Sequence, residues 1–200
     1  MKLKKLLLAA GIAAALAPAM VQAEQTFTTG AGPLSTAARL DFRIIIPGFL
    51  RLRVGTTGGT IDQITFTVPA ANVGDSTPIA GTGGDASGGT AANVSVVSNR
   101  GQVTITETNN SGGLGLGTGV VLDGFIAYTQ ISTSTSDGNL LAPALSNAGG
   151  NTSLPVITAG QVTNRSAVWT YSYLNTTIPS AGTFGGSANG GRVTYTATTP

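Results

Sequence analysis

The chain has 200 residues, of which 29 are glycine and only 9% are charged, and it contains no cysteine and no histidine. Those two absences exclude disulfides, thiolate nucleophiles, zinc–sulfur sites and imidazole bases, and with them any Ser-His-Asp triad. Ten basic and eight acidic residues give a formal net charge of +2, but three of the ten, Lys2, Lys4 and Lys5, sit at the extreme N-terminus.

Those lysines open "MKLKKLLLAAGIAAALAPAMVQA", a basic start followed by an apolar run to Ala17 and a small-x-small close at Val21-Gln22-Ala23. This order is that of a cleavable secretory signal peptide over residues 1–23. The apolar run is too short to span roughly 30 Å of hydrocarbon. No later stretch offers about 20 apolar residues, so no transmembrane segment is expected in the mature chain. After cleavage seven arginines face eight acids, for a net charge of −1. The basic balance that would draw nucleic acid is then gone. The mature chain, residues 24–200, is expected to be exported from a bacterium to the periplasm, the cell surface or the medium. It is long enough to fold on packing alone, burying roughly two-thirds of its unfolded surface.

The first patterned stretch is "RLDFRIIIPGFLRLRVG", residues 39–55. Leu40, Phe42, Ile44 and Ile46 alternate with Asp41, Arg43 and Ile45. Leu50, Leu52 and Val54 then alternate with Phe49, Arg51 and Arg53. Both halves have the period of two that marks a half-covered strand. Pro47-Gly48 fits a single long strand, kinked there and passing from one sheet to another. The arginines read first as a solvated strand face carrying edge-protecting charge. An anionic-ligand site or a subunit interface at Arg43, Arg51 and Arg53 is the alternative.

Five further stretches read as β. "ITFTV" (64–68) alternates strictly, and "VSVVSNRGQVTITET" (94–108) gives two strands around Ser98-Asn99-Arg100-Gly101. "VVLDGFIAYTQI" (120–131) is apolar enough for a central strand. "SAVWTYSYL" (166–174) puts Trp169, Tyr171 and Tyr173 on one face, and "RVTYTAT" (192–198) puts Val193, Tyr195 and Ala197 opposite Thr194, Thr196 and Thr198. Trp169, Tyr171 and Tyr173 are expected in the core, with a sugar-stacking platform as the alternative. Between these stretches lie Gly-rich loops such as "GTGGDASGGTAAN", "NNSGGLGLGTG" and "FGGSANGG". One imperfect calcium-type turn at "GTGGDASGG" leaves a calcium ion near Asp85 or Asp137-Gly138-Asn139 open. No cofactor is expected. Asp62, Asp75, Asp85 and Asp137 sit where turns need them, and no carboxylate pair stands out for acid–base work. The chain is therefore expected to be non-enzymatic.

The tail "WTYSYLN…IPSAGTF…RVTYTATTP" resembles the C-terminal end of bacterial secreted immunoglobulin-like surface modules, among them pilus-subunit-like proteins and the WxL surface-domain group. Pro179, Ala181, Gly182, Thr183 and Phe184 match the turn, and Val193, Thr194, Tyr195 and Thr196 match the last strand. The opening strands are similar to those of uncharacterised exported proteobacterial proteins of this kind. The resemblance covers about a third of the mature chain. It implies one all-β domain, an immunoglobulin-like antiparallel sandwich, acting as a fimbria-like surface protein. Self-association, other surface subunits or glycans are the partners it implies. Trp169-Thr170-Tyr171 is not the WxL tripeptide, so cell-wall binding is not carried over. "EQTFTTGAGPLST" offers only Phe27 and Leu34, too few for the alternating segment that a donated strand needs. The structural reading leads, and a carbohydrate-binding or adhesive module is the alternative. Intact-mass measurement of exported protein is expected to place the N-terminus at Glu24 or within a few residues, and a full-length chain recovered from the cytosol would contradict export.

Overall fold

The computed structural model describes residues 25–89 and 91–200, and the signal-peptide expectation lies outside the described residues. Two compact units divide at Ile46 and Pro47. In the first, side-chain hydroxyls hold a small fold-back around the bend at Ala31-Gly32. Thr26 Oγ1 meets the Thr36 hydroxyl and donates to the Ala37 carbonyl, while Thr28 Oγ1 donates to the Ser35 carbonyl. From Pro33 to Ile46 this unit has neither turn, bend nor ladder partner, and every side chain is exposed.

The regular structure of the second unit is almost entirely β. Its strands are β1 (Leu50–Val54), β2 (Ile64–Thr65), β3 (Ile79–Ala80), β4 (Thr82–Gly83), β5 (Ala91–Ser98), β6 (Thr104–Asn109), β7 (Ile131–Thr135), β8 (Thr152–Ser153), β9 (Thr163–Tyr173) and β10 (Val193–Thr198). One sheet is built on β9, which pairs with β5, β3 and β7, while β1 adds to β5. A second sheet runs β10-β6-β8, and β2 pairs with β4 alone. Every pairing is antiparallel. Among the described residues no helix is long and apolar enough to cross a membrane.

Alternation sends one row of each strand into a common core. Val94 and Val96 of β5, Ala167, Trp169 and Tyr171 of β9, and Val103 and Ile105 at β6 form one buried cluster with Tyr128, Leu140 and Leu145. Trp169 is fully buried, donates its Nε1–H to the Leu140 carbonyl at 3.0 Å, and meets Tyr195 of β10 edge-on with centroids 5.2 Å apart. The opposite rows face water. Thr104, Thr106 and Thr108 stand across from Thr198, Thr196 and Thr194 on the outer face of the second sheet.

Three sequence expectations change. Only 50–54 of the 39–55 stretch is a strand, so the long kinked strand does not exist in this chain. Instead Asn99 brackets the approach to β1: its Oδ1 accepts from Phe49 N, and its Nδ2 donates to the Pro47 carbonyl. Strands β5 and β6 do not form a hairpin, because the 98–101 connection passes from one sheet to the other. Gly101 there adopts φ +83° and donates to the Gln161 carbonyl at 2.8 Å, and a Cβ would collide with the Gln161 side chain. Finally, 120–131 is not a central strand but two 3-10 turns, Val121–Asp123 and Tyr128–Gln130. Asp123 takes the Thr118 hydroxyl at 2.6 Å and Gly124 adopts φ +76°, so turn chemistry overrides the apolar run.

Trp169 is the only tryptophan. Its emission is expected to be blue-shifted and poorly quenched by iodide. Trp169→Ala is expected to cost about 3–5 kcal/mol in urea unfolding, as buried aromatic truncations do. Red-shifted, readily quenched emission would contradict this packing.

Candidate functional site

The residues that the sequence singles out do not form one site. Arg39 and Arg43 belong to the first unit and Arg51 and Arg53 to the second. Strand alternation puts Arg51 and Arg53 on the outer face of β1, opposite Val97 and Ser95 of β5. Arg51 is exposed, whereas Arg53 is half-buried and committed within the fold. Its Nε donates to the Gly55 carbonyl at 2.7 Å, and its Nη2 pairs with Asp85 Oδ2 at 2.6 Å. Beside it lies a shallow depression of about 340 Å³ lined by Arg53, Asn93, Ser95, Ser136, Ser166 and Val168. The Asp85 carboxylate already neutralises the one cation there, which removes most of its pull on an anion.

Asp85 is equally occupied. Oδ1 accepts the Asn93 backbone N–H at 2.7 Å while Oδ2 takes Arg53. Burial works against its charge, but the hydrogen bonds from Asn93 and the Arg53 guanidinium prevail and hold it below the usual carboxylate range. Asp137 is likewise lowered, chiefly by Asn139, whose backbone N–H and Nδ2 both donate to its Oδ1. These are turn-closing roles. Among the described residues no three metal-ligating side chains of the His, Cys, Asp or Glu type cluster together.

The aromatic residues face inward. Trp169, Tyr171 and Tyr173 are all buried and present no stacking surface to solvent. Tyr171 and Tyr195 share a hydroxyl–hydroxyl hydrogen bond of 3.0 Å, and Tyr128 donates to the Gly190 carbonyl at 2.6 Å. Among them lies Glu107, fully buried on the inward row of β6 across from Tyr195. Its carboxyl oxygens accept long bonds of 3.4 Å, from Asn109 Nδ2 and Asn151 N. Burial, reinforced by this carboxylate, pushes the Tyr128 phenol up to about 12. Burial likewise pushes Tyr171 up to about 12 and raises Tyr195 well above the ordinary value. The alternation Val103-x-Ile105-x-Glu107 already placed this carboxylate on the core face; only its charge argued against reading it there.

Two Gly-rich stretches that read as separate loops are knitted together. Gly117 donates to the Asn189 carbonyl at 3.0 Å, Gly185 to the Gly117 carbonyl at 2.7 Å, and Asn110 Nδ2 to the Ser187 carbonyl at 2.8 Å. The depression between them, about 230 Å³, is lined by four glycines together with Asn110, Asn189 and Phe125 among others. It holds no charged or titratable side chain.

What stands out is apolar and unpaired. Leu40, Phe42, Ile44 and Ile46 are 73%, 87%, 84% and 75% exposed, and Phe49 and Leu50 remain partly exposed at the start of β1. Large exposed apolar patches mark interaction surfaces on soluble proteins in general. In the second unit, among the described residues, β1 pairs only with β5 and β10 only with β6, so both are edge strands, and they lie close together at one flank. Their core-facing rows, Leu52 and Val54 of β1 with Val193, Tyr195 and Ala197 of β10, are only half-buried. The exposed row at 40–46 is the candidate functional surface of the first unit, and the two open edges are a separate feature of the second. Comparison with protein-family models, curated proteins and solved structures finds no match to any of them.

The arginines differ in a measurable way. Arg51→Thr is expected to change stability by no more than about 0.5 kcal/mol. Arg53→Thr is expected to cost about 1 kcal/mol, the upper end for a pair this exposed. The Asp85 carboxyl has its folded-state pKa depressed below 3.8, so its contribution is present above that pH and lost as pH falls through the lowered value. The gap between wild type and Arg53→Thr in urea midpoint should therefore close as pH drops below 3.8, and a gap independent of pH would contradict the pairing.

Proposed function

We propose that this chain is an exported, non-enzymatic structural subunit of a bacterial surface assembly, fimbria-like in character and built on an immunoglobulin-like sandwich. One observation carries the reading: residues 40–46 have the alternation of a half-covered strand, yet Leu40, Phe42, Ile44 and Ile46 are exposed and have no strand partner among the described residues. Burying each of Leu40, Phe42, Ile44 and Ile46 is worth about 1.5–3 kcal/mol. Together that is roughly 6–12 kcal/mol gross, against an association cost of about 4–15 kcal/mol. The apolar row alone leaves association marginal, so a partner must also satisfy the segment's backbone. The closest physical fit is another protein's sheet edge.

The composition supports the same reading. The surface is rich in threonine, serine and glycine and poor in charge, and Tyr128, Tyr171 and Glu107 are buried away from solvent. The ligand-sized depressions are shallow and carry no free cluster of reactive groups. The purified mature chain is expected to self-associate with rising concentration in sedimentation and to form filaments or chains in negative stain. The double variant Phe42→Arg, Ile44→Arg should stay monomeric with unchanged Trp169 emission and melting temperature, because both positions are exposed in the isolated chain. A wild-type chain that remains monomeric at every concentration would refute the proposal.

A further inference from the structure

Residues 110–126 and 182–191 of the second unit lie against each other, tied by the bonds from Gly117 to the Asn189 carbonyl and from Gly185 to the Gly117 carbonyl. Leu116 and Ile126 bridge within the first stretch. The two stretches together carry a single ionisable side chain, Asp123. Out of this pair of loops projects the 3-10 turn Val121–Asp123, with Val120 at its N-cap. Val120, Val121 and Leu122 are 55%, 80% and 95% exposed. Phe125 follows at 42% exposed, its ring close against Gly117. Elsewhere in the second unit, among the described residues, exposed large apolar side chains stand singly or, at Phe49-Leu50, as a pair.

The backbone decides what can cover this tip. Val120 is extended, and Val121 and Leu122 follow it into a turn of about three residues per revolution, so the three side chains leave the chain in different directions. A flat protein surface or an added strand would cover one of those directions and leave the others wet. Fluid hydrocarbon surrounds all of them at once, which is what an element apolar on every side requires. The turn also holds its shape while it projects. Thr118 Oγ1 donates to Asp123 Oδ2 at 2.6 Å and accepts the Val120 N–H at 3.1 Å. The Asp123 and Gly124 N–H groups close onto the Val120 and Val121 carbonyls at 3.1 and 3.2 Å. Part of the turn's backbone is thus satisfied internally, which lowers the cost of taking the tip out of water.

Charge selects the kind of lipid. Neither stretch has a lysine or arginine, and its one ionisable group is acidic. Anionic membranes draw proteins through basic clusters, so an anionic surface offers this tip nothing. We infer that the Val120–Leu122 tip, with Phe125 beside it, inserts into the interface of a zwitterionic phospholipid bilayer as a weak, reversible anchor. Its apolar load is of the order of one acyl chain, which gives marginal, reversible membrane binding. The contact is separate from the self-association reading, because it uses residues of the second unit alone.

The chain has no cysteine, so Leu122→Cys takes one environment-sensitive label. The full mature chain is used with Phe42→Arg and Ile44→Arg, so that the exposed row of the first unit does not contribute. With phosphatidylcholine vesicles at about 1 mM lipid, where a single-chain anchor is mostly bound, the label should blue-shift and the unlabelled chain should float with the vesicles. Binding should hold between about 50 and 500 mM salt and should not rise when anionic lipid is added. Val121→Ser with Leu122→Ser should lower partitioning at least about tenfold, with Trp169 emission unchanged. Leu154→Ser with Ile178→Ser, both exposed elsewhere on the second unit, should leave partitioning as it was. An unshifted label without flotation overturns the inference. So does binding that needs anionic lipid, falls with salt, survives the double variant at the tip, or is lost equally with Leu154→Ser and Ile178→Ser. A label that shifts with protein concentration alone, in the absence of vesicles, assigns the tip to a protein pocket and overturns it as well.

Discussion

The Trp169–Tyr195 contact joins the two sheets and sets the terms for everything around it. Trp169 leans edge-on against Tyr195 and donates to Leu140, while Tyr171 and Tyr195 share a hydroxyl bond. These contacts fix the inward rows of β9 and β10 to each other. Once they are fixed, period two dictates the rest: Val94, Val96, Ala167 and Ile105 must point in, and the threonines of β6 and β10 must point out. The same contact explains how a fully buried carboxylate at Glu107 is tolerated. It sits on the only row available to it, among phenols whose own ionisation burial already suppresses.

Covering the core in this way leaves one flank thin. Strands β1 and β10 close the molecule on that side but are not themselves covered, and their inward rows stay half-buried. The first unit separately carries an alternating segment, residues 40–46, with no ladder partner among the described residues.

Much of the all-β character was legible in the sequence. The strands at 94–98, 104–108, 166–173 and 193–198 lie where strict alternation put them. Alternation also gave the right faces at 64–68, where Ile64, Phe66 and Val68 are half-buried although the ladder stops after Thr65. It failed in two instructive ways. At 120–131 the apolar content suggested a strand, but Asp123-Gly124 imposes a turn that outweighs it. At 39–46 the alternation suggested a strand, but the described chain forms none there, because no neighbouring strand supplies ladder partners. The arginines read first as a solvated strand face; Arg51 is exposed, whereas Arg53 pairs with Asp85, 32 residues away, a partner that local alternation cannot reveal.

On the function proposed above, residues 40–46 become ordered only when a partner's sheet edge covers their apolar row. Amide hydrogen exchange of this segment, followed across a dilution series of the full mature chain, tests it most directly. Exchange at Leu40–Ile46 should be unprotected in dilute monomer and slow by at least about tenfold on assembly, while Val94–Val96 and Ile105 stay equally protected throughout. Protection of 40–46 that does not change with concentration, or its absence in the assembled state, would contradict the account.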